Sequence, residues 1–146
     1  SSINDGAGAL VIASAAAVKA RGLEPIARFV GWAGHAQEPK WFTTAPVHAI
    51  AKSLEKCRMG VKDIDLWEIN EAFAVVTMAA IKDHKIDPAV VNVNGGGCSI
   101  GHPIGATGAR LLATLVYALK DRKAKRGLST MCIGGGEALS TIIEMV

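Results

Sequence analysis

Apolar residues follow two spacings along the chain, and each spacing predicts a different kind of element. Short continuous apolar runs predict buried strands, whereas apolar residues that recur every three or four positions predict helices. The predicted strands are residues 7–13, 26–34, 64–69, 90–93, 128–133 and 138–146. The predicted helices are residues 15–21, 46–59, 71–85 and 103–123.

The order of these elements predicts the fold class. Alternating strands and helices are typical of a mostly parallel sheet covered by helices on both faces. The short turn Gly134–Gly136 makes the last strand antiparallel to the strand before it. We therefore expect an α/β fold with a mostly parallel sheet, helices on both faces and an antiparallel edge strand.

Composition excludes several other classes of protein. The chain has 146 residues, of which 50% are hydrophobic and 20% charged, so a packed core is expected and disorder is not. The net charge of +3 is small, and the basic residues within 120–126 fit a solvated helix end that faces the helix dipole. An anion or nucleic-acid patch is the alternative, but no aromatic residues are interleaved for base stacking. We expect no nucleic-acid partner.

Cysteine usage and apolar run length bear on the environment of the protein. The three cysteines contain no C-x-x-C pair, so we expect neither a disulfide framework nor a metal site. This usage favours a reducing compartment, either the cytoplasm or, as alternatives, the mitochondrion or peroxisome. No apolar run reaches the roughly 18 residues of a membrane span.

Three chemically useful side chains lie at or just beyond the ends of predicted strands. These are Asn70, His102 and Cys132. Ligands bind beyond the carboxyl ends of the strands in sheets of this kind, so we expect the three side chains to converge. Each has an alternative role: a helix cap for Asn70, a surface or core imidazole for His102, and a small apolar residue for Cys132.

Two runs of glycine accompany these residues. Gly95–Gly97 and Gly134–Gly136 allow close backbone approach, and their N–H groups could face a developing oxyanion. Neither run fits a phosphate-binding loop. His102 precedes Pro103 at the predicted start of the long helix, where the positive end of the helix dipole would favour a neutral imidazole.

The amino-acid sequence around these positions resembles that of one known family. The stretches concerned are Asn4-Asp5-Gly6-Ala7, Asn70-Glu71-Ala72-Phe73-Ala74, the segments 92–96 and 101–110, and Cys132-Ile133-Gly134-Gly135-Gly136. Together they resemble the thiolases, and specifically their acetyl-CoA acetyltransferase branch. Thiolases join two acyl-CoA molecules by Claisen condensation, or run the reverse cleavage, through an acyl-cysteine intermediate.

The resemblance implies a role for each matching residue. His102 would activate the nucleophilic cysteine and later hold the thioester oxygen of the enolate, and Asn70 would fix a water that shares the second task. Cys132 would be the acid/base at the α-carbon, and the N–H of Gly134 would belong to the oxyanion hole. Two further residues would bind substrate. Ser1 would contact the pantetheine arm of coenzyme A, and Phe73 would line its tunnel.

The chain departs from the family pattern at two points. The covalent nucleophile is a cysteine of the amino-terminal half, and neither Cys57 nor Cys98 matches its motif, so we expect the chain alone to be inactive. Glu137 stands where this branch more often carries an uncharged residue. A carboxylate there would oppose an anionic intermediate.

The resemblance also implies an organisation and a set of partners. Residues 1–24 would be a strand and a helix of the amino-terminal domain. Residues 25–146 would form the carboxyl-terminal domain, with a mostly parallel five-stranded sheet, helices on both faces and an antiparallel edge strand. The unpaired strand would need a partner, so we expect a fragment of a longer protein or one of two polypeptides. The complete protein would be a homo-oligomer that takes acyl-CoA as substrate and holds no separate cofactor. The alternatives are a degradative 3-ketoacyl-CoA thiolase and a non-catalytic assembly subunit with the same fold.

Overall fold

The computed structural model describes all residues of the chain, from Ser1 to Val146. Its α-helices are α1 (Ala15–Arg21), α2 (Ala45–Lys56), α3 (Ala74–His84), α4 (Gly97–Ile100) and α5 (Thr107–Arg122). Its strands are β1 (Ala27–Ala36), β2 (Leu66–Ile69), β3 (Arg126–Ile133) and β4 (Glu137–Met145). Short 3-10 helices cover Pro39–Thr44, Val61–Asp63 and Pro88–Val90.

The four strands form one mixed sheet in the order β1-β4-β3-β2. Strands β2 and β3 are parallel, whereas β4 is antiparallel to both β3 and β1. The α/β class is confirmed, but the sheet has four strands rather than five, and only one of its neighbouring pairs is parallel. The antiparallel strand is also not at an edge. The tight turn returns β4 alongside β3, and β1 then pairs with the free side of β4.

The predicted strand at residues 90–93 is wrong. Val91 makes a single parallel bridge with Trp67 of β2, and no ladder follows it. The next residue, Asn92, has a positive φ of 48° and turns the backbone away. Its side chain then bonds the backbone of Ile69, with Oδ1 accepting from the N–H at 2.8 Å and Nδ2 donating to the carbonyl at 2.9 Å. A side chain thus replaces the fifth strand.

The predicted strand at residues 7–13 does not form within this chain and stays a prediction, because its partner strand was expected in another part of the protein. The helix after it is confirmed. These residues are irregular and exposed, and Val11 is 100% exposed. A strand requires a neighbour for its backbone N–H and C=O groups, and no strand of the chain lies beside this segment. Helix α1 begins after Ser14, whose Oγ accepts from the N–H of Ala17 at 3.1 Å, and ends at Gly22 in the left-handed conformation.

Helices pack on both faces of the sheet, as predicted. On one face, Ile50 and Leu54 of α2 join a core that contains Trp67, Leu128 and Ile142. Helix α3 adds Ala80 to the same core. Burying each large apolar side chain contributes about 1.5–3 kcal/mol.

The opposite face of the sheet is covered by α5. Leu115 and Leu119 of this helix are fully buried and pack on Leu66 and Ile143 of the sheet. Helix α5 therefore has a fixed position relative to β2. No helix of the structure is both long and apolar enough to cross a membrane.

The contact between α5 and β3 gives a test of the packing. A Cβ added at Gly127 of β3 would lie 2.6 Å from Cδ1 of the fully buried Leu115. We expect Gly127→Ala to lower the free energy of unfolding by about 1–3 kcal/mol because the core is overpacked. Urea denaturation measures this change.

Gly105→Ala is the matched control, because a Cβ at Gly105 would meet no atom within 4 Å. We expect its free energy of unfolding to stay within about 0.5 kcal/mol of the parent chain. Equal effects of the two substitutions would contradict the packing of α5 on β3.

Candidate functional site

Asn70 and His102 meet beyond the carboxyl end of β2. Asn70 is fully buried, and its backbone N–H donates to the carbonyl of Thr130 at 3.0 Å. Its side-chain Nδ2 lies 3.4 Å from Nε2 of His102. On the other side of the ring, Nδ1 of His102 lies 2.6 Å from Oγ1 of Thr107. The three side chains form one hydrogen-bonded chain, which we call the Asn70–His102–Thr107 chain.

The hydrogen bonds of Thr107 define the tautomer of His102. Thr107 is fully buried, and its hydroxyl donates to the carbonyl of Pro103 at 2.9 Å. A hydroxyl has one proton to donate, so Oγ1 must accept from His102 if both bonds form. The ring proton then lies on Nδ1, and Nε2 carries the lone pair that accepts from Asn70. This arrangement gives a neutral imidazole whose basic nitrogen faces Asn70.

The cause of this neutral form differs from the one predicted. Helix α5 begins at Thr107, so His102 lies five residues before the helix rather than at its first turn. Residues 103–106 form a turn in which the N–H groups of Ala106 and Thr107 both donate to Pro103. Burial, followed by the positive charge of Arg110, lowers the pKa of His102 below its ordinary value.

Glu71 holds the glycine-rich loop against the end of β2. Its Oε1 accepts from Nδ2 of Asn92 at 2.7 Å, and its Oε2 accepts from the backbone N–H of Cys98 at 2.9 Å. A Cβ at Gly96 would collide with the Glu71 carboxylate. The first glycine run therefore allows close approach to a carboxylate. The N–H groups of Gly95 and Gly96 already donate to internal acceptors, so these two do not face a ligand.

Cys132 lies near the end of β3, the strand that pairs with β2. It is 7% exposed, and burial raises the pKa of its thiol above the ordinary value. No hydrogen bond of the structure joins it to Asn70 or His102. Alternation along β3 places Cys132 on the face of Leu128, which packs with α2, whereas Asn70 lies on the α5 face. These side chains can converge only beyond the strand ends, so their convergence stays a prediction.

Gly134 lies in the turn that joins β3 to β4. Its N–H donates to no backbone or side-chain acceptor of the chain, so it is free to bind a ligand oxygen. The next two glycines shape the turn, with φ angles of 95° at Gly135 and 92° at Gly136. A Cβ at Gly136 would also collide with the carbonyl of Gln37.

The two predicted substrate-binding residues are neighbours. Oγ of Ser1 donates to the carbonyl of Ala72 at 2.8 Å, directly before Phe73. Phe73 is 55% exposed and packs edge-to-face on Phe42, with ring centroids 5.9 Å apart. The segment that contains Ser1 then passes beside His102. The backbone N–H of His102 donates to the backbone carbonyl of Ser2 at 2.9 Å. The structure thus leaves the exposed ring of Phe73 three residues beyond Asn70, next to the residue that Ser1 contacts.

Sequence reasoning missed the residues that support this site. Thr107, Glu71 and Asn92 lie within the quoted stretches, but residue type and spacing gave none of them a role. The only available signal was a polar residue inside a segment that is otherwise apolar or rich in glycine. Such a residue needs a hydrogen-bond partner when it is buried.

Substituting Thr107 tests the tautomer of His102. We expect Thr107→Val, which keeps the shape but removes the acceptor, to shift the ring proton from Nδ1 towards Nε2. Nitrogen-15 NMR of the histidine side chains measures this shift. Thr107→Ser keeps the hydroxyl and should preserve the Nδ1–H form. An unchanged tautomer in Thr107→Val would contradict the assignment.

Alkylation rates test the environments of the cysteines. Cys98 is exposed, Cys57 is half-buried and Cys132 is buried with a raised pKa. At about pH 8 we expect iodoacetamide to modify Cys98 first and Cys132 last, because the thiolate is the reactive form. Mass spectrometry measures the order. In urea the three rates should become similar, and a fast Cys132 in the folded chain would refute its burial.

Comparison with known proteins identifies the family of the chain. A family model described as the C-terminal domain of thiolase matches residues 23–145. The chain is 49% identical over 146 residues to the acetyl-CoA acetyltransferase of Schizosaccharomyces pombe. The aligned region covers 100% of this chain and 37% of that protein. It is also 49% identical over 144 residues to a steroid 3-ketoacyl-CoA thiolase of Mycobacterium tuberculosis, covering 99% of this chain and 35% of that protein.

Solved structures of similarly named proteins also superpose on this chain. The crystal structure of the Bacillus anthracis acetyl-CoA acetyltransferase superposes with a TM-score of 0.88 at 43% identity, over 91% of this chain and 34% of that one. Human mitochondrial 3-ketoacyl-CoA thiolase in complex with CoA gives a TM-score of 0.89 at 40% identity, over 92% and 34%. The chain thus spans about a third of the length of these relatives. The resemblance found in the sequence is confirmed, and the chain belongs to the thiolase family.

Proposed function

We propose that this chain is the carboxyl-terminal catalytic part of an acetyl-CoA acetyltransferase. The complete enzyme would condense two acetyl-CoA molecules to acetoacetyl-CoA and CoA, or run the reverse cleavage. The observation that carries the proposal is the Asn70–His102–Thr107 chain, which presents a neutral basic nitrogen at the end of β2. The acetyl-CoA acetyltransferases among the relatives support this choice of substrate.

In the proposed first half-reaction, Nε2 of His102 takes the proton of a nucleophilic thiol that lies outside this chain. The thiolate attacks the acetyl carbonyl carbon, and the acetyl group passes from the coenzyme A sulfur to the cysteine sulfur. The departing coenzyme A thiolate leaves as the thiol when it takes the proton of Cys132, which becomes a thiolate, while His102 keeps its proton on Nε2. The free N–H of Gly134 is suited to stabilise the oxyanion that forms on the acetyl carbonyl.

In the proposed second half-reaction, Cys132 removes the α-proton of a second acetyl-CoA. The enolate carbon attacks the carbonyl of the acyl-cysteine, and the carbon–sulfur bond to the nucleophilic cysteine breaks. Its sulfur leaves as the thiol, with the proton that Nε2 of His102 returns. A thiol is a far stronger acid than a thioester α-carbon, so the enolate must be stabilised as it forms. Asn70 and a protonated Nε2 of His102 are donors suited to that oxygen. The raised pKa of Cys132 fits a group that holds a proton at neutral pH and returns it.

The proposal includes partners and a compartment. The nucleophilic cysteine would come from an amino-terminal half, in the same or a separate polypeptide, and the chain alone would be inactive. The complete protein would be a homo-oligomer in a reducing compartment such as the cytoplasm. Coenzyme A would enter as part of the substrate, with its pantetheine arm beside Ser1 and Phe73, and no resident cofactor would be needed.

A second candidate is a degradative 3-ketoacyl-CoA thiolase. Relatives named as 3-ketoacyl-CoA thiolases match the chain as closely as the acetyltransferases do, and the same residues would serve both reactions. Comparing kcat/KM for acetoacetyl-CoA and for a long-chain 3-ketoacyl-CoA separates the two. A preference for the long chain would overturn the acetyl-CoA proposal.

The histidine provides the test of catalysis. With the chain joined to its amino-terminal part, we expect CoA-dependent cleavage of acetoacetyl-CoA, followed as loss of absorbance of its enolate. His102→Ala should lower kcat by on the order of 100-fold or more, because it removes the base and an enolate donor.

His48→Ala is the matched control, since His48 is an exposed histidine on α2 and lies outside the candidate site. Its kcat should stay close to that of the parent enzyme. Activity that survives His102→Ala would contradict the proposed role, and an assembled protein that binds CoA without turnover would favour the non-catalytic assembly subunit.

A further inference from the structure

A second polar pair lies below the Asn70–His102–Thr107 chain, between the same strand and the same helix. Glu68 precedes Asn70 by two residues on β2 and so lies on the same face. Arg110 follows Thr107 by three residues on α5, which is close to one helical turn. Nη1 of Arg110 donates to Oε2 of Glu68 at 3.5 Å. We call Glu68 and Arg110 the lower pair.

The lower pair is buried, but only some of its polar atoms have hydrogen-bond partners. The side chains of Glu68 and Arg110 are 1% and 16% exposed. Oε1 of Glu68 and both Nε and Nη2 of Arg110 are buried without a hydrogen-bond partner. A guanidinium and a carboxylate can form two parallel bonds, but here a single long bond joins them. The positive charge of Arg110 is therefore incompletely neutralised.

The protonation of Glu68 leaves that charge still less balanced. Burial raises the pKa of Glu68 to about 7, in spite of the lowering effect of Arg110, and the charge of Glu71 raises it further. The guanidinium stays charged at every relevant pH. The lower pair therefore has a net charge near zero above this pKa and becomes positive below it. Around neutral pH a substantial fraction of the molecules carries the positive form.

The positive charge acts on the residues above it. After burial, the positive charge of Arg110 is the largest cause of the lowered pKa of His102. A field that opposes a positive charge on the imidazole favours a negative charge at the same place. We propose that Arg110, held by Glu68 below Asn70 and His102, is a positioning residue whose partly paired charge favours the enolate oxygen at the candidate site. This inference rests on the proposed function.

A purely structural role for the lower pair makes a different prediction. If the pair only fastens α5 to β2, then its removal changes stability but leaves the titration of His102 unaltered. The titration of His102 therefore separates an electrostatic role from a structural one. It can be measured in this chain without any catalytic activity.

The first arm of the test is an NMR titration of His102. The chain has four histidines, and the NMR signal of His102 is the one that disappears in His102→Ala. We expect Arg110→Met to raise the pKa of His102 and Arg110→Lys, which keeps the charge, to leave it lowered. Arg110→Met leaves the Glu68 carboxyl without its partner. The double variant Glu68→Gln/Arg110→Met has no charge at either position, and it should raise the pKa of His102 in the same way.

The matched control is Arg122→Met, which removes an exposed arginine from the last turn of the same helix. It should leave the pKa of His102 unchanged. Glu68→Gln alone keeps the positive charge and should not raise the pKa of His102. A pKa of His102 that is unaffected in both Arg110→Met and the double variant would overturn the inference.

The second arm uses the chain joined to its amino-terminal part. Arg110→Met should lower kcat by on the order of 10-fold with little change in KM, because the charge acts on the transition state rather than on substrate binding. Arg110→Lys should recover most of kcat. A parent enzyme without acyl transfer would contradict the proposed function, whereas an active enzyme whose kcat is unaffected by Arg110→Met would overturn this inference alone.

Discussion

The parallel pairing of β2 with β3 fixes the geometry on which the candidate site depends. The ladder that sets Leu66 opposite Gly127 continues to the bond between the N–H of Asn70 and the carbonyl of Thr130. Because the strands are parallel, their carboxyl ends lie at the same edge of the sheet. Residues 70–74 follow β2, and the turn Gly134–Gly136 follows β3. These two segments must therefore leave the sheet at the same edge.

Burial then determines the chemistry of the groups at this edge. It raises the pKa of Glu68 and Cys132 and lowers that of His102, so each of these groups favours its neutral form. The exception is the guanidinium of Arg110, which cannot lose its charge. A permanent cation close to these neutral groups would favour a reaction in which negative charge appears briefly and then disappears.

The sequence predicted the parts of the fold that depend on local pattern. Helix α1 and the strands β1 and β3 appear close to the expected residues, because apolar spacing and glycine or proline breakers are local signals. The sequence also predicted that Asn70 and His102 would lie close together, and their side chains are 3.4 Å apart. The convergence of Cys132 with them stays a prediction. It failed where long-range pairing decides the outcome. Residues 90–93 are apolar enough for a strand but make a single bridge to β2, and the position of β4 inside the sheet depends on which strand reaches its free side. The role of Thr107 depends on a turn that delays the start of α5, and the lower pair depends on the alignment of α5 with β2.

The side chain of Asn92 has a consequence for the outer edge of the sheet at β2. Strand β2 is an edge of the sheet, and its outward-facing carbonyl at Trp67 accepts from the Asn92 backbone while both outward groups of Ile69 bond the Asn92 side chain. An edge with open hydrogen-bonding groups is a template on which a strand of another molecule can add, which leads towards aggregation. Asn92, together with the bridge of Val91 to Trp67, occupies these outward groups of β2, so they are not open to a strand of another molecule beside the candidate site.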